Sequence, residues 1–347
     1  MKFSLDKINL DRIRARFDDA ITANDIDVYL GHFDTRVKEF NLDSMRFAVP
    51  KITLSNLNAK IIQRKPAATP EPEAKDEAES NEPLNLSLDL GTIDLDRIKV
   101  DYRNDISAMK AKVDLGNLEV ESDNLDLKRQ RINLKKVDLN NSKILFSLGK
   151  KPEAKVVAKE AAQEVKTQSD NWRFAVANIN FENNNIRFDN FNMPVQKRGM
   201  DYAHLDIKNL KLNVKNLLYA VDTISGNIND GAFSDKSGFN LRRLQTDFFY
   251  GKTEAYLNNL EILTPTTQIR DQIRIGYPSI ESLSENLGEL AIDANLQNTR
   301  VGFNDILVFV PTLASTEPFK SSPNAALNIN GQVKGQLKNL NIPNLEI

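Results

Sequence analysis

Residue types that ordinarily carry chemistry are scarce in this chain, with 2 histidines, His32 and His204, and 0 cysteines among 347 residues. A general base, a thiol nucleophile or a zinc-thiolate site therefore has little to be built from. No HExxH pair, P-loop, GxGxxG turn or GxSxG serine occurs, so the spacings that place a metal, a nucleotide or a nucleophile on one surface are missing. Both histidines are expected on solvated strand or loop faces. The run Asn180 to Asn185 offers oxygen ligands, but it lacks the glycine and closing glutamate of a calcium loop, and turn formation accounts for the same residues. Trp172, Phe174, Phe181, Phe188 and Phe191 could stack on a sugar; cross-strand pairing is the simpler account. Lys plus Arg number 46 against 48 Asp plus Glu, a net charge of −2 with the signs interspersed, which is not the basic footprint of a nucleic-acid binder. The expectation is a non-enzymatic chain with no cofactor, no metal and no nucleic-acid partner.

What remains is apolar spacing. Leu84, Leu86, Leu88 and Leu90, and again Ile144, Phe146 and Leu148, alternate with other residues in the period-2 pattern of half-buried strands. Asn and Asp fall where alternation breaks, at Asp18-Asp19, Asn140-Asn141 and Asn183 to Asn185, and these places are expected to be turns.

An internal repeat organises the alternation. Two apolar residues two apart, followed by two more at +7 and +9, occur at Ile8/Leu10/Ala15/Phe17, Ile52/Leu54/Ala59/Ile61, Ile93/Leu95/Val100/Tyr102, Val137/Leu139/Ile144/Phe146 and Ile179/Phe181/Ile186/Phe188. A shift of 85 residues maps Ile8 onto Ile93, Arg12 onto Arg97, Ile21 onto Ile106, Val28 onto Val113 and Leu30-Gly31 onto Leu115-Gly116 without a gap. Self-similarity at a fixed period marks an array whose units stack on their neighbours. The chain divides accordingly into a unit at 1–64, a solvated stretch at 65–83, a second unit at 84–149, a second solvated stretch at 150–170 with helical tendency over Ala154 to Val165, and a third unit with its continuation at 171–347. Short helices are expected at Ser279 to Leu287 and Asn304 to Val310.

Eighteen larger residues of the five motifs form the candidate site: Ile8, Leu10, Phe17, Ile52, Leu54, Ile61, Ile93, Leu95, Val100, Tyr102, Val137, Leu139, Ile144, Phe146, Ile179, Phe181, Ile186 and Phe188. Leaving such side chains wet forfeits roughly 1.5–3 kcal/mol each, so the face needs a cover: a second sheet, the same sheet rolled into a solenoid, or acyl chains. A β-helix would show shorter coils, and a sandwich would close within about 100 residues instead of repeating in register. The expected fold is all-β, an elongated repetitive, mostly antiparallel curved sheet with an apolar inner face and a few short helices. The four residues between a motif's pairs are where a turn or bulge would set the face that the pairs share. At about 4.8 Å per strand, about twenty strands would make a trough on the order of 100 Å long.

The segment from Trp172 to Asp189 (WRFAVANINFENNNIRFD) resembles the recurrent strand-turn-strand unit of the AsmA-like/TamB family of bacterial envelope proteins, and the copies starting at Ile8 and Ile93 match the same pattern. Gly199 to Asp206, Asp222 to Gly226, Ser237 to Leu241, Thr246 to Tyr250 and Asp305 to Pro311 are similar to the form of that family in Bacteroidota-type bacteria. The resemblance implies the periplasmic part of an inner-membrane-anchored protein of a Gram-negative bacterium. It also implies an apolar β-groove that carries phospholipid toward the outer membrane, or a scaffold that assists outer-membrane protein assembly or secretion with a barrel partner. The sequence starts without an export-signal pattern and has no apolar run of about 18 residues. Its last residues, Leu337 to Ile347, still alternate. It therefore reads as an excerpt, with anchor and barrel-associated region expected outside it.

Overall fold

The computed structural model describes residues 6–41, 45–64, 87–150, 172–280, 282–341 and 345–346. The stretch at 65–83, all of 150–170 but Lys150, and Leu84 and Leu86 of the alternating series lie outside the described residues. The fold is all-β and mostly antiparallel, with a few short helices, as expected. Two compact units divide it, one comprising Met1–Trp172 with Arg187–Pro194, the other Arg173–Ile186 with Val195–Ile347. The first two repeats thus share a unit.

In the first unit, β1 (Lys7–Asp19), β2 (Asn24–Arg36), β4 (Arg46–Gln63), β5 (Ser87–Asn104) and β6 (Met109–Asp126) are successive sheet neighbours. Two strands, β7 (Arg131–Asn140) and β8 (Lys143–Leu148), lie end to end along β6, and the short β3 (Glu39–Asn41) pairs with the start of β4. Every pairing is antiparallel except β4 with β5, which is parallel. A parallel join requires a long crossover, and residues 64–86 supply the length. The 85-residue repeat is visible in the backbone: left-handed residues fall in pairs at Arg12 and Arg97, Ala23 and Ala108, Met45 and Gln130, and Asn56 and Asn141.

The strand β9 (Arg173–Asn190) corrects the reading of Asn183 to Asn185 as a turn and of the segment as strand-turn-strand. It is one continuous strand of 18 residues in which Asn183 alone is left-handed, with φ of 56°. One residue in that conformation bends a strand; reversing it takes a two-residue turn or longer. Asp19 does begin a turn, its carboxylate accepting from the Ile21 and Thr22 amides and the Thr22 hydroxyl.

The second unit continues as an antiparallel succession: β10 (His204–Ala220), β11 (Thr223–Asp235), β13 (Arg243–Tyr250), β14 (Glu254–Leu263), β15 (Gln268–Gly276), β16 (Ala291–Gly302) and β17 (Ala326–Gln336). Three short strands flank it: β12 (Asn240–Leu241) on β11, and β18 (Asn339–Asn341) and β19 (Leu345–Glu346) on β17. The two expected helices are present as Ser282–Glu285 and Phe303–Phe309. Two compact cores lie in this unit: Met200, Phe239 and Leu241 with Val308 of the second helix, and Ala294, Leu296 and Val333. That helix is pinned through one carboxylate. Asp305 Oδ2 accepts from the hydroxyls of Thr264 (2.5 Å), Thr266 (2.7 Å) and Thr267 (2.5 Å), and the Thr267 hydroxyl in turn accepts from the Gly302 amide (3.0 Å). Hydrogen bonds to an ionised group contribute about 1.5–3 kcal/mol. Asp305→Ala is therefore expected to free the helix from the β14–β15 turn and to raise amide hydrogen exchange across residues 303–309 before it affects the distant strands.

Candidate functional site

Cross-strand register gathers the motif residues of the first unit into rows. Ile8, Thr35, Ile52, Ile93, Val120 and Val137 form one, each opposite the next across β1, β2, β4, β5, β6 and β7. Beside it runs Leu10, Phe33, Leu54, Leu95, Leu118 and Leu139. Further along the strands come Ala15, Val28, Ala59, Val100, Val113 and Ile144, and then Phe17, Ile26, Ile61, Tyr102, Ala111 and Phe146. Phe188 extends the last row, its ring stacked on Phe146 at 6.1 Å and 7°. Ile179 is buried in the second unit, where Phe181 and Ile186 are half-buried.

A motif's second and third apolar positions are an odd number of residues apart, so unbroken alternation would send its two pairs to opposite faces. The backbone interrupts alternation between them in every copy. The residue at +4 of each motif is left-handed: Arg12, Asn56, Arg97, Asn141 and Asn183, with φ of 53–56°. Asn tolerates this conformation because its short amide bonds locally. In β4 the less exposed apolar positions accordingly pass from Ile52 and Leu54 to Leu57, Ala59 and Ile61, while Lys51, Asn58 and Lys60 are exposed.

These irregular residues also form a row. Arg12 and Asn56 flank Gly31, and Arg97 and Asn141 flank Gly116, between register pairs that do not shift. Only glycine fits between them. A Cβ at Gly31 would stand 2.5 Å from Asn56 Cβ, and one at Gly116 would stand 2.7 Å from the carbonyl oxygens of both Asn140 and Asn141. Where β4 meets β5, Arg97 Nε donates to Asn56 Oδ1 at 2.7 Å. A fifth apolar row, Ile13, Leu30, Leu57, Ile98 and Leu115, lies just past the glycines. The four-position motif omits it, together with Phe33 and Leu118, although the recurrence of Leu-Gly at 30–31 and 115–116 marks its place.

Ion pairs link the polar residues between these rows, Arg14 with Asp27 (2.8 Å), Lys112 with Asp101 (3.5 Å) and Lys136 with Glu119 (3.0 Å), and a hydrogen bond joins His32 Nδ1 and Asp11 Oδ1 (2.7 Å). Of the apolar residues in the first unit, Ala48, Ala59, Ile98, Leu115 and Leu139 are buried; the rest of the rows are half-buried or, on β1, exposed. The arrangement is a broad apolar surface with a charged reverse.

His32 lies on a solvated strand face, as expected, whereas His204 does not. It is 2% exposed and its Nδ1 lies 3.0 Å from Asp201 Oδ2, because the Asp201–His204 turn buries its first and last side chains while Tyr202 between them is exposed. Burial pushes the Asp201 carboxyl up, but hydrogen bonds from the Gln196 amide, His204 and the Ala203 amide more than reverse this and leave it below its ordinary 3.8. Asp235 behaves alike: burial raises it, and the Ser237 and Asp206 amides bring it lower on balance. Of the aromatic residues of the supposed sugar patch, Phe174 pairs with Tyr219 at 6.1 Å and Phe188 with Phe146. Among the described residues, no group of three or more His, Asp or Glu could hold a metal, and no helix is long and apolar enough to cross a membrane.

The geometry defines an all-β repeat protein with laterally aligned apolar rows. No protein-family model matches the chain, and no curated protein matches it.

Two outcomes follow from this geometry. Gly116→Ala should destabilise the first unit by about 1–3 kcal/mol in urea unfolding, since backbone must move to admit the methyl; Gly276→Ala, whose Cβ would meet only Ala291 Cβ at 3.7 Å, should have little effect. Both buried aspartates have depressed folded pKa values, so their stabilisation is complete above the ordinary 3.8 and is lost as pH falls through the folded values. Asp235→Asn should therefore melt below the unaltered chain at pH 7, with the difference shrinking as the pH is taken below about 4.

Proposed function

We propose that the apolar rows hold phospholipid acyl chains, and that the chain is a non-enzymatic part of a bacterial envelope protein of the AsmA-like/TamB type, carrying lipid between inner and outer membranes and supporting outer-membrane biogenesis. The observation that supports this is the continuity of the rows. Apolar side chains follow one another across six strands without a polar residue larger than Thr35, and most are only half-buried. A protein that used these residues solely as core would bury them; an acyl chain laid along a row removes its methylenes from water at about 0.8 kcal/mol each. Headgroups stay at the wet margin. Membrane attachment and any assembly-barrel partner belong, on this reading, to regions outside the chain, in the periplasm of a Gram-negative cell.

The test is lipid extraction and native mass spectrometry of the chain purified from a bacterial envelope, with photocrosslinking groups at Leu95 and Phe181. Phospholipid crosslinked at both positions is the expected result. Leu95→Asp sets a carboxylate between Leu54 and Leu118, at a cost on the order of several kcal/mol, and should lower the co-purified phospholipid severalfold while the circular dichroism of the sheet persists. A folded Leu95→Asp chain that retains its full lipid load, or an unaltered chain free of lipid, would sink the reading.

A further inference from the structure

We propose that the open edge of β1 binds one more strand, running parallel to it: an extended polypeptide segment with the pattern of β4, two apolar pairs separated by a left-handed asparagine. The inference goes beyond lipid carriage and does not depend on it.

The argument rests on the internal repeat. In the 85-residue register β1 corresponds to β5, and β2, the neighbour of β1, corresponds to β6, the neighbour of β5. The other edge of β5 is occupied by β4, in parallel, from Arg46 opposite Ser87 to Gln63 opposite Asn104. Among the described residues β1 pairs with β2 alone. Two strands with the same kink and equivalent neighbours on one side thus differ, among the described residues, in that only one has a strand on its second edge.

What the second strand does for β5 can be read position by position. Ile98 faces Leu57 of β4 and is 5% exposed; Ile13, the same residue type at the equivalent place in β1, is 40% exposed. Phe17 is 52% exposed where its counterpart Tyr102 is half-buried beside Ile61. Arg97, left-handed at the kink, donates through Nε to the left-handed Asn56 of the added strand. Arg12 holds the same backbone conformation and is solvent-exposed on the open edge. A β4-like strand laid against β1 would cover Ile13 with a leucine and offer Arg12 an asparagine carbonyl. Main-chain hydrogen bonds would give affinity, and alternate side chains would give specificity. The kink restricts the occupant further: a straight strand cannot follow an edge bent at Arg12, so its own left-handed residue must fall in the same row.

The register is therefore fixed in advance. Ser55 pairs with Asp96, the equivalent of Asp11, and Thr53 pairs with Asp94, the equivalent of Asn9. Because the chain has 0 cysteines, Asp11→Cys and Asn9→Cys variants of the full chain each carry a single thiol. They would be mixed under mild oxidation with synthetic peptides of the sequence Arg46 to Gln63 bearing one cysteine in place of Lys51, Thr53, Ser55 or Lys60. The Asp11 variant should crosslink most with the Ser55 peptide and the Asn9 variant most with the Thr53 peptide. Both maxima moving in the same direction is the signature of parallel pairing. In the otherwise unaltered chain, Arg12→Ala and, in the peptide, Asn56→Ala should each weaken binding about tenfold, and together scarcely more than either alone, since both remove one hydrogen bond. No crosslinking above that of a scrambled peptide, maxima that move in opposite directions, or indifference to cysteine position would overturn the proposal. Loss of lipid binding in Leu95→Asp with the crosslinking pattern intact would separate this edge from the apolar face.

Discussion

The structure depends on reconciling a two-residue alternation with apolar pairs that stand an odd distance apart. Each strand of the motif meets this with one left-handed residue, and Arg12 and Asn56, like Arg97 and Asn141, lie at one level on either side of the strand between them. Gly31 and Gly116 are consequences of that alignment. They lie where two irregular backbones approach from opposite sides, with no volume left for a methyl group.

From the aligned row follow the other properties of the first unit. Leucine, isoleucine and valine come into lateral rows on one side of the kink and again on the other, and charged residues fall into cross-strand ion pairs between them. Such pairs contribute little individually in water, and here they chiefly keep the polar positions soluble and like charges apart. Free energy is concentrated instead in the apolar rows, most of which remain half-wet. The second unit divides its residues differently, with compact clusters around Phe239 and Ala294, a helix fastened by Asp305, and carboxylates buried at Asp201 and Asp235 where backbone amides converge on them.

The edge of β1 and the parallel join of β4 to β5 express one rule in two states. Each repeat presents an edge shaped for the final strand of a repeat like itself, and the exposure of Ile13 beside the burial of Ile98 measures what filling that edge accomplishes.

Strand content, the 85-residue period, the two short helices and the motif positions that share rows in the first unit were legible in the sequence, because period-2 alternation and self-similarity are local signals that a side-chain pattern records directly. The sequence also located the places where alternation breaks. It did not distinguish a bend from a reversal at Asn183, since Asn favours left-handed backbone in both, and the difference lies in whether the following residues pair with the same neighbour or a new one. Nor did it show His204 beneath the surface, because nothing local to Asp201, Tyr202, Ala203 and His204 says that the first and last side chains are buried while Tyr202 stays exposed. Above all, tertiary structure decided the partners: that β4 meets β5 in parallel, that the kinks fall in one row, and that β1 has one filled edge. Those facts are pairings between residues tens of positions apart, and no pattern within a single strand encodes which neighbour will complete it.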